Sequence, residues 1–378
     1  MIYLDNAATT FPKPACVLRE ARKCLESYSG NPGRSSHKIS LEAARVVYRT
    51  RVCLAEMFGI SNEEHIVFTK NTTEALCLSI LGAINGGDVI TTNLEHNSVL
   101  RPLDVISKSH GCRIKTLDAT KSDECFLKDL EDAITPDTRA LVSLHASNTC
   151  PRILPISEMG RICRNHGILF ILDAAQSAGI YDIGVESDGI GIMCSPGHKG
   201  LFSPMGVGFA AFRDDFDFDC LEPLLYGGTG VNSKARDVGR LPPESFEAGT
   251  LPLPSIAGLL AGAEYCRSLG LKEIRDHEQK LYSAAKNGLL EMGAEIYGDF
   301  GQGSVLLFNI EGIPASKLSE MLDSNGICTR AGLHCAPTAH EALGTGGDAL
   351  RISFSPMNKM KDIDGFLSAI SKIIKSLK

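Results

Sequence analysis

The sequence predicts an α/β protein: a large domain on a seven-stranded, mostly parallel sheet covered by helices, followed by a smaller α+β domain. Three observations carry this prediction. Seven short apolar runs, at 66–70, 88–92, 113–118, 140–146, 169–174, 189–194 and 207–212, fill the first two-thirds of the chain. Several are apolar along their whole length, as expected of strands buried on both faces. Helical patterns at 72–84, 97–109 and 155–166 alternate with them, and that alternation marks a parallel, layered sheet. Its crossovers should be right-handed, with ligands held at the carboxyl ends of the strands.

Beyond residue 212 the pattern changes. Gly227-Gly228-Thr229-Gly230 and Leu241-Pro242-Pro243-Glu244 read as loops. A long helical stretch is expected at about 254–292. A strand at 304–310, a helix near 315–325, strands at 327–330 and 350–355 and a final helix near 359–377 complete the smaller domain.

Bulk composition narrows the function. With 378 residues, 43% of them hydrophobic, the chain can bury a large core. A net charge of −7 without a basic patch argues against nucleic acid. No apolar run reaches the roughly 18 residues needed to span a membrane. The start, Met1-Ile2-Tyr3-Leu4-Asp5-Asn6, lacks the pattern of a signal peptide, so a cytoplasmic protein is expected. The 13 cysteines are scattered without a C-x-x-C pair, which indicates neither a metal site nor a disulfide framework.

The chemistry is expected where strand ends turn polar. Ile171-Leu172-Asp173-Ala174-Ala175-Gln176 ends a strand in a carboxylate, and Ser195-Pro196-Gly197-His198-Lys199-Gly200 ends another in a Gly-His-Lys turn. An amine and an acid delivered together suit pyridoxal 5'-phosphate (PLP): the lysine forms a Schiff base with its aldehyde, and the acid keeps the pyridine nitrogen protonated. Separately, each residue reads as a turn or solvated position. Asn71-Thr72-Thr73-Glu74 opens a helix with hydroxyls and free N–H groups, a phosphate site or a plain capping box. His96 could stack on a ring or cap a helix, and Asn148 could bond a ring oxygen or make a turn. Arg330-Ala331-Gly332-Leu333-His334-Cys335-Ala336-Pro337 places a thiol beside a histidine and an arginine, the setting of a reactive, mobile cysteine. Arg351, alone in an apolar strand, needs an anion: a substrate carboxylate or an internal salt bridge.

Taken in order from Tyr3-Leu4-Asp5-Asn6-Ala7-Ala8-Thr9-Thr10 to Arg351-Ile352-Ser353-Phe354, these motifs resemble the class V aminotransferase family of PLP enzymes, in its cysteine desulfurase and selenocysteine lyase branch. The resemblance implies PLP-dependent transferase fold type I, with a large PLP-binding domain at 14–255 and a small domain from 1–13 and 256–378. It implies Lys199 as the Schiff-base lysine, Asp173 at the pyridinium nitrogen, and Gln176 and Asn148 near the ring hydroxyl. His96 would stack on the ring, and Thr72, Thr73 and His198 would hold the phosphate, with Thr250 reaching it from the neighbouring subunit of a homodimer. Asn6, His37, Arg330 and Arg351 would lie on the substrate side, with Arg351 holding the α-carboxylate.

Cys335, in a short loop like that of group II desulfurases, would take the sulfur of L-cysteine as a persulfide, release L-alanine and pass the sulfur to an acceptor protein. The same residues would serve a selenocysteine lyase acting on L-selenocysteine, or another class V aminotransferase or lyase. Three departures stand out. Pro196 replaces a phosphate-binding hydroxyl, with Ser195 one position off. Thr149-Cys150-Pro151 follows Asn148 where a glycine is common. The run 31–37 carries Arg34 and two serines in the family's substrate-side loop.

Overall fold

The computed structural model describes residues 1–33, 36–228 and 239–377; Arg34, Ser35, Thr229 and Gly230, which sequence analysis placed in loops, lie outside them. The first part of the chain runs β1 (Ile2–Tyr3), α1 (Ala15–Lys23), α2 (Lys38–Phe58), β2 (Ile66–Thr69), α3 (Thr72–Ala83), β3 (Asp88–Thr92), α4 (Asn97–His110) and β4 (Arg113–Leu117). It continues through α5 (Asp123–Ala133), β5 (Thr138–Leu144), α6 (Ile156–His166), β6 (Leu169–Asp173), β7 (Ile192–Pro196) and β8 (Gly208–Phe212).

Strands β2 to β8 form one seven-stranded sheet in the order β2-β8-β7-β6-β5-β3-β4. Only β8 runs against its neighbours, so the sheet is mostly parallel, as the sequence predicts. The antiparallel turn from β7 to β8 needs no helical crossover, and its loop, 197–207, carries Lys199. Both faces of the sheet are covered. Val46, Leu54 and Phe58 of α2, Met159 of α6 and the later residue Ile256 pack on one side; Leu76 and Ile80 of α3 with Val99 and Leu103 of α4 pack on the other. This double burial is why the inner strands lack an alternating pattern, whereas β4, at the edge, is largely exposed.

The rest comprises α7 (Leu253–Leu269), α8 (Leu271–Glu291), β9 (Glu295–Tyr297), β10 (Val305–Asn309), α9 (Ala315–Ser324), β11 (Ile327–Cys328), β12 (Arg330–Ala331), α10 (Pro337–Leu343), β13 (Leu350–Ser353) and α11 (Met360–Leu377). Strands β12-β13-β10-β9 form an antiparallel sheet, backed by a second core that includes Leu281, Phe308, Leu318, Ile352 and Phe366. The N-terminus belongs here: β1 pairs in parallel with β11, and Leu4 is fully buried in this core.

Three expectations shift. The strand expected at 327–330 is two, β11 pairing with β1 and β12 with β13. The single helix at 254–292 is two helices, because Gly270 takes a φ of 85° and caps the first. The strand expected at 189–194 starts at Ile192, because Gly189 turns the chain and Ile190 is buried from that turn. We propose that the large unit extends to about Gly270, past the expected boundary at 255, because Ile256, Leu259, Ala263 and Cys266 of α7 sit in its core.

Candidate active site

Polar side chains converge at the carboxyl ends of β2, β3, β5, β6 and β7 around a cavity of about 220 Å³. The expected residues Thr72, Thr73, His96, Asn148, Asp173, Gln176, His198, Lys199, Arg330 and Arg351 all line it.

Asp173 is the last residue of β6, only 5% exposed, and its carboxylate accepts a hydrogen bond from the Ala175 amide at 2.9 Å. Burial raises its pKa, while the Ala175 N–H and the Lys199 charge oppose that rise. Lys199 is brought down to about 8, first by burial; Asp173 pulls it up and Arg351 and Arg330 push it down. Its loop is tightly held. The Phe202 amide donates to the Lys199 carbonyl at 2.9 Å and the Ser203 amide to the Gly197 carbonyl at 2.9 Å. Helix α7 lies so close that a Cβ on Gly262 would fall 1.9 Å from the Leu201 carbonyl oxygen.

The phosphate candidates gather at the start of α3. Asn71 caps this helix by accepting from the Glu74 amide at 3.0 Å, so the capping reading is also correct. Thr73 Oγ1 meets Ser98 Oγ at 2.9 Å. Thr72 Oγ1 and His198 Nδ1 are buried with no hydrogen-bond partner. Burial, then Lys199 and Lys13, lower the His198 pKa to about 4. A Cβ on Gly208 would come within 2.7 Å of the Asn71 backbone, so only glycine lets β8 begin this close to the helix start. Pro196 lines the cavity, whereas the Ser195 hydroxyl is buried in β7 and donates to the Pro196 carbonyl; Ser195 does not replace the missing hydroxyl.

His96 is itself the N-cap of α4. Its Nδ1 accepts from the Ser98 amide at 3.0 Å, which leaves the ring proton on Nε2. Burial and the surrounding cations, Lys199 first, lower its pKa to about 4, so the ring is neutral. The adjacent Glu95 is fully buried; its Oε1 accepts from Thr92 Oγ1 at 2.7 Å and from the Leu144 amide at 3.0 Å. It clamps the segment before α4 onto β5, and burial pushes its carboxyl up to about 8.

The substrate side is already partly paired. Arg351 is 1% exposed; its Nη2 bonds Asp5 at 2.6 Å and its Nη1 the Asn148 carbonyl at 3.0 Å, with Nε unpartnered. The internal salt bridge is therefore present. Asn148 Nδ2 donates to the His334 carbonyl at 2.8 Å, and Gln176 Nε2 to the Ala7 carbonyl at 3.0 Å. Cys335 is exposed, with Arg330 Nη2 at 3.9 Å from its sulfur. Its carbonyl accepts from the Asn97 amide at 2.8 Å, so the loop expected to be mobile is tied down at its backbone.

Four expected residues stay outside the lining of the cavity in this chain: Cys335, which adjoins it only through Arg330 and His334, and Asn6, His37 and Thr250. Asn6 is buried beside it, bonded to the Ser353 carbonyl and to Asn358 at 3.0 Å each. His37 is the N-cap of α2. Thr250 borders a separate pocket with Lys70 and Glu74. Sequence reasoning missed Asp5, Ser98 and the part His334 plays. Ser98 was detectable, two residues after His96 at a helix start; the partnership of Asp5 with Arg351 has no local signal.

A half-buried lysine facing a buried acid at the strand ends of an α/β sheet, next to a helix start with an unpartnered hydroxyl, is the site of a PLP enzyme of fold type I. The chain belongs to the aminotransferase class-V family, whose model matches residues 2–366. A protein of Methanothermobacter thermautotrophicus named "Probable cysteine desulfurase" is 34% identical, over 96% of this chain and 92% of its own length. One of Haloferax volcanii named "Cysteine desulfurase" is 30% identical, over 98% of this chain and 88% of its own length. The solved apo structure of a cysteine desulfurase from Thermococcus onnurineus superposes with a TM-score of 0.91 at 32% identity, covering 99% of this chain and 95% of that one.

Proposed function

We propose that the protein is a PLP-dependent cysteine desulfurase that converts L-cysteine to L-alanine and carries the sulfur as a persulfide on Cys335. One observation carries this reading beyond the family: the cavity that joins Lys199 to Asp173 also reaches Arg330 and His334, which flank Cys335. The residues fit the cofactor. Thr72, Thr73, His198 and the first turn of α3 would hold the phosphate, where unpartnered donors and the helix start favour an anion. Asp173 would hold the ring nitrogen and His96 would lie against the ring. PLP supplies an electron sink for charge developing at the substrate α-carbon.

The protein's own groups do the rest. Arg351 offers its unpartnered Nε toward the α-carboxylate. Lys199, low enough in pKa to be neutral in part near pH 7, takes the α-proton on Nζ. The Cys335 thiolate attacks the substrate sulfur: the new S–S bond forms and the carbon–sulfur bond breaks. The bonding pair stays with the carbon skeleton, which takes up protons and leaves as alanine. A cytoplasmic homodimer, with Thr250 serving the neighbouring subunit's phosphate site and an acceptor protein taking the sulfur, belongs to the same proposal.

The test is alanine formation by the PLP-loaded protein with L-cysteine and L-selenocysteine supplied separately. Alanine from L-cysteine supports the reading. Alanine from L-selenocysteine alone makes the protein a selenocysteine lyase, and a keto-acid product in place of alanine makes it another class V aminotransferase.

A further inference from the structure

Cys335 is the second of two successive non-glycine residues with left-handed backbone: φ is 51° at His334 and 58° at Cys335. L-residues hold this conformation only where their surroundings fix it. The two carbonyls are fixed by Asn148 Nδ2 and the Asn97 amide, each at 2.8 Å. The His334 ring is fixed from behind, by a buried chain that no step described above uses.

The chain has a single proton arrangement. His334 is 3% exposed, His340 1% and Thr345 7%. His334 Nε2 lies 3.0 Å from the Arg330 carbonyl, which only accepts, so Nε2 carries the proton. Burial lowers the pKa of both histidines, that of His334 to about 3, so both rings are neutral. His334 Nδ1 is therefore an acceptor, and His340 Nε2, at 3.0 Å, must donate to it. His340 Nδ1 then accepts from the Thr345 hydroxyl at 2.6 Å. The two ring planes lie within 14° of each other, with centroids 5.2 Å apart. The order Thr345, His340, His334, Arg330 thus links α10 and the turn before β13 to β12, directly behind the thiol.

We propose that His340, acting through His334, is a positioning residue that aims the Cys335 thiol into the cavity. The proposal rests on Cys335 being the sulfur-accepting group. Without His340, the His334 Nδ1 is a buried acceptor lacking a donor, and the left-handed pair loses its rear anchor.

The test compares His340→Ala and His340→Gln holoenzymes with wild type. The readouts are the rate of Cys335 alkylation by iodoacetamide, followed by peptide mass spectrometry, and kcat and KM for alanine formation from L-cysteine. His340→Ala should change the alkylation rate and lower kcat by about 10²-fold, the scale of a small misplacement of a reacting group, with little change in KM. His340→Gln retains an N–H for His334 Nδ1 and should restore most of both. Thr345→Val, which removes only the far end of the chain, should act in the same direction more weakly, and it carries the comparison if His340→Ala does not fold. Cys335 alkylation at the wild-type rate in His340→Ala, or a glutamine variant no better than alanine, overturns the proposal. A wild-type protein that makes no alanine overturns the desulfurase reading instead; the alkylation comparison needs no substrate and still decides the positioning.

Discussion

The Lys199 amine should titrate far below an ordinary lysine, and the size of the effect follows from its surroundings. Burial, with Arg351 and Arg330 nearby, brings it from 10.5 to about 8 despite the opposing charge of Asp173. Below pH 8 this multiplies the neutral fraction by about 300-fold, and near pH 7 about one-tenth of the amine is free base. The sign is fixed: raising the pH through 8 deprotonates Lys199 while Lys121 and Lys272 stay charged. Trace dinitrophenylation of the cofactor-free protein across pH, read peptide by peptide, reports each lysine separately. Lys199 should reach half its limiting reactivity near pH 8, and Lys13, which burial also brings to about 8, should accompany it. Lys121 and Lys272, paired with Asp129 and Asp276, should titrate above the usual lysine value. Asp173→Asn removes the group that holds the Lys199 pKa up and should move its profile to lower pH. A Lys199 profile matching those surface lysines would refute this account of a half-buried, partly neutral amine.

Two further perturbations test other parts. Arg51 and Glu247 form a buried ion pair with side chains 8% and 6% exposed, and Glu247 also accepts from the Phe68 amide; Arg51→Ala leaves that carboxylate unpaired and should cost about 3–5 kcal/mol in urea unfolding, a cost under 1 kcal/mol contradicting it. Arg351→Lys should raise the KM for L-cysteine by about 10-fold or more with a smaller change in kcat, because one ammonium cannot hold Asp5, the Asn148 carbonyl and a carboxylate at once; an unchanged KM would place the α-carboxylate elsewhere.

Much of the fold and site was legible because the signals are local. Strands buried on both faces leave unbroken apolar runs, and Thr72, Thr73, His96, Asn148, Asp173 and Lys199 follow such runs closely enough that strand ends alone bring them onto one cavity. What the sequence hid depends on distance or on backbone angle. Asp5 meets Arg351 across 346 positions. Gly270 breaks a helix whose apolar pattern continues past it. His340 lies on α10, a helix of 7 residues without an apolar repeat, and its link to Cys335 appears only once the loop closes. His37 caps α2 and Thr250 borders a separate pocket, so neither reaches the cavity of this chain.

The most direct test of the central claim is mass spectrometry of the peptide containing Cys335 after the PLP-loaded protein has turned over L-cysteine without an added thiol. The account predicts that this peptide alone becomes one sulfur heavier, and that Cys335→Ala gains no sulfur and forms no alanine. Alanine formation undiminished in Cys335→Ala, or sulfur carried on another of the cysteines, would contradict it.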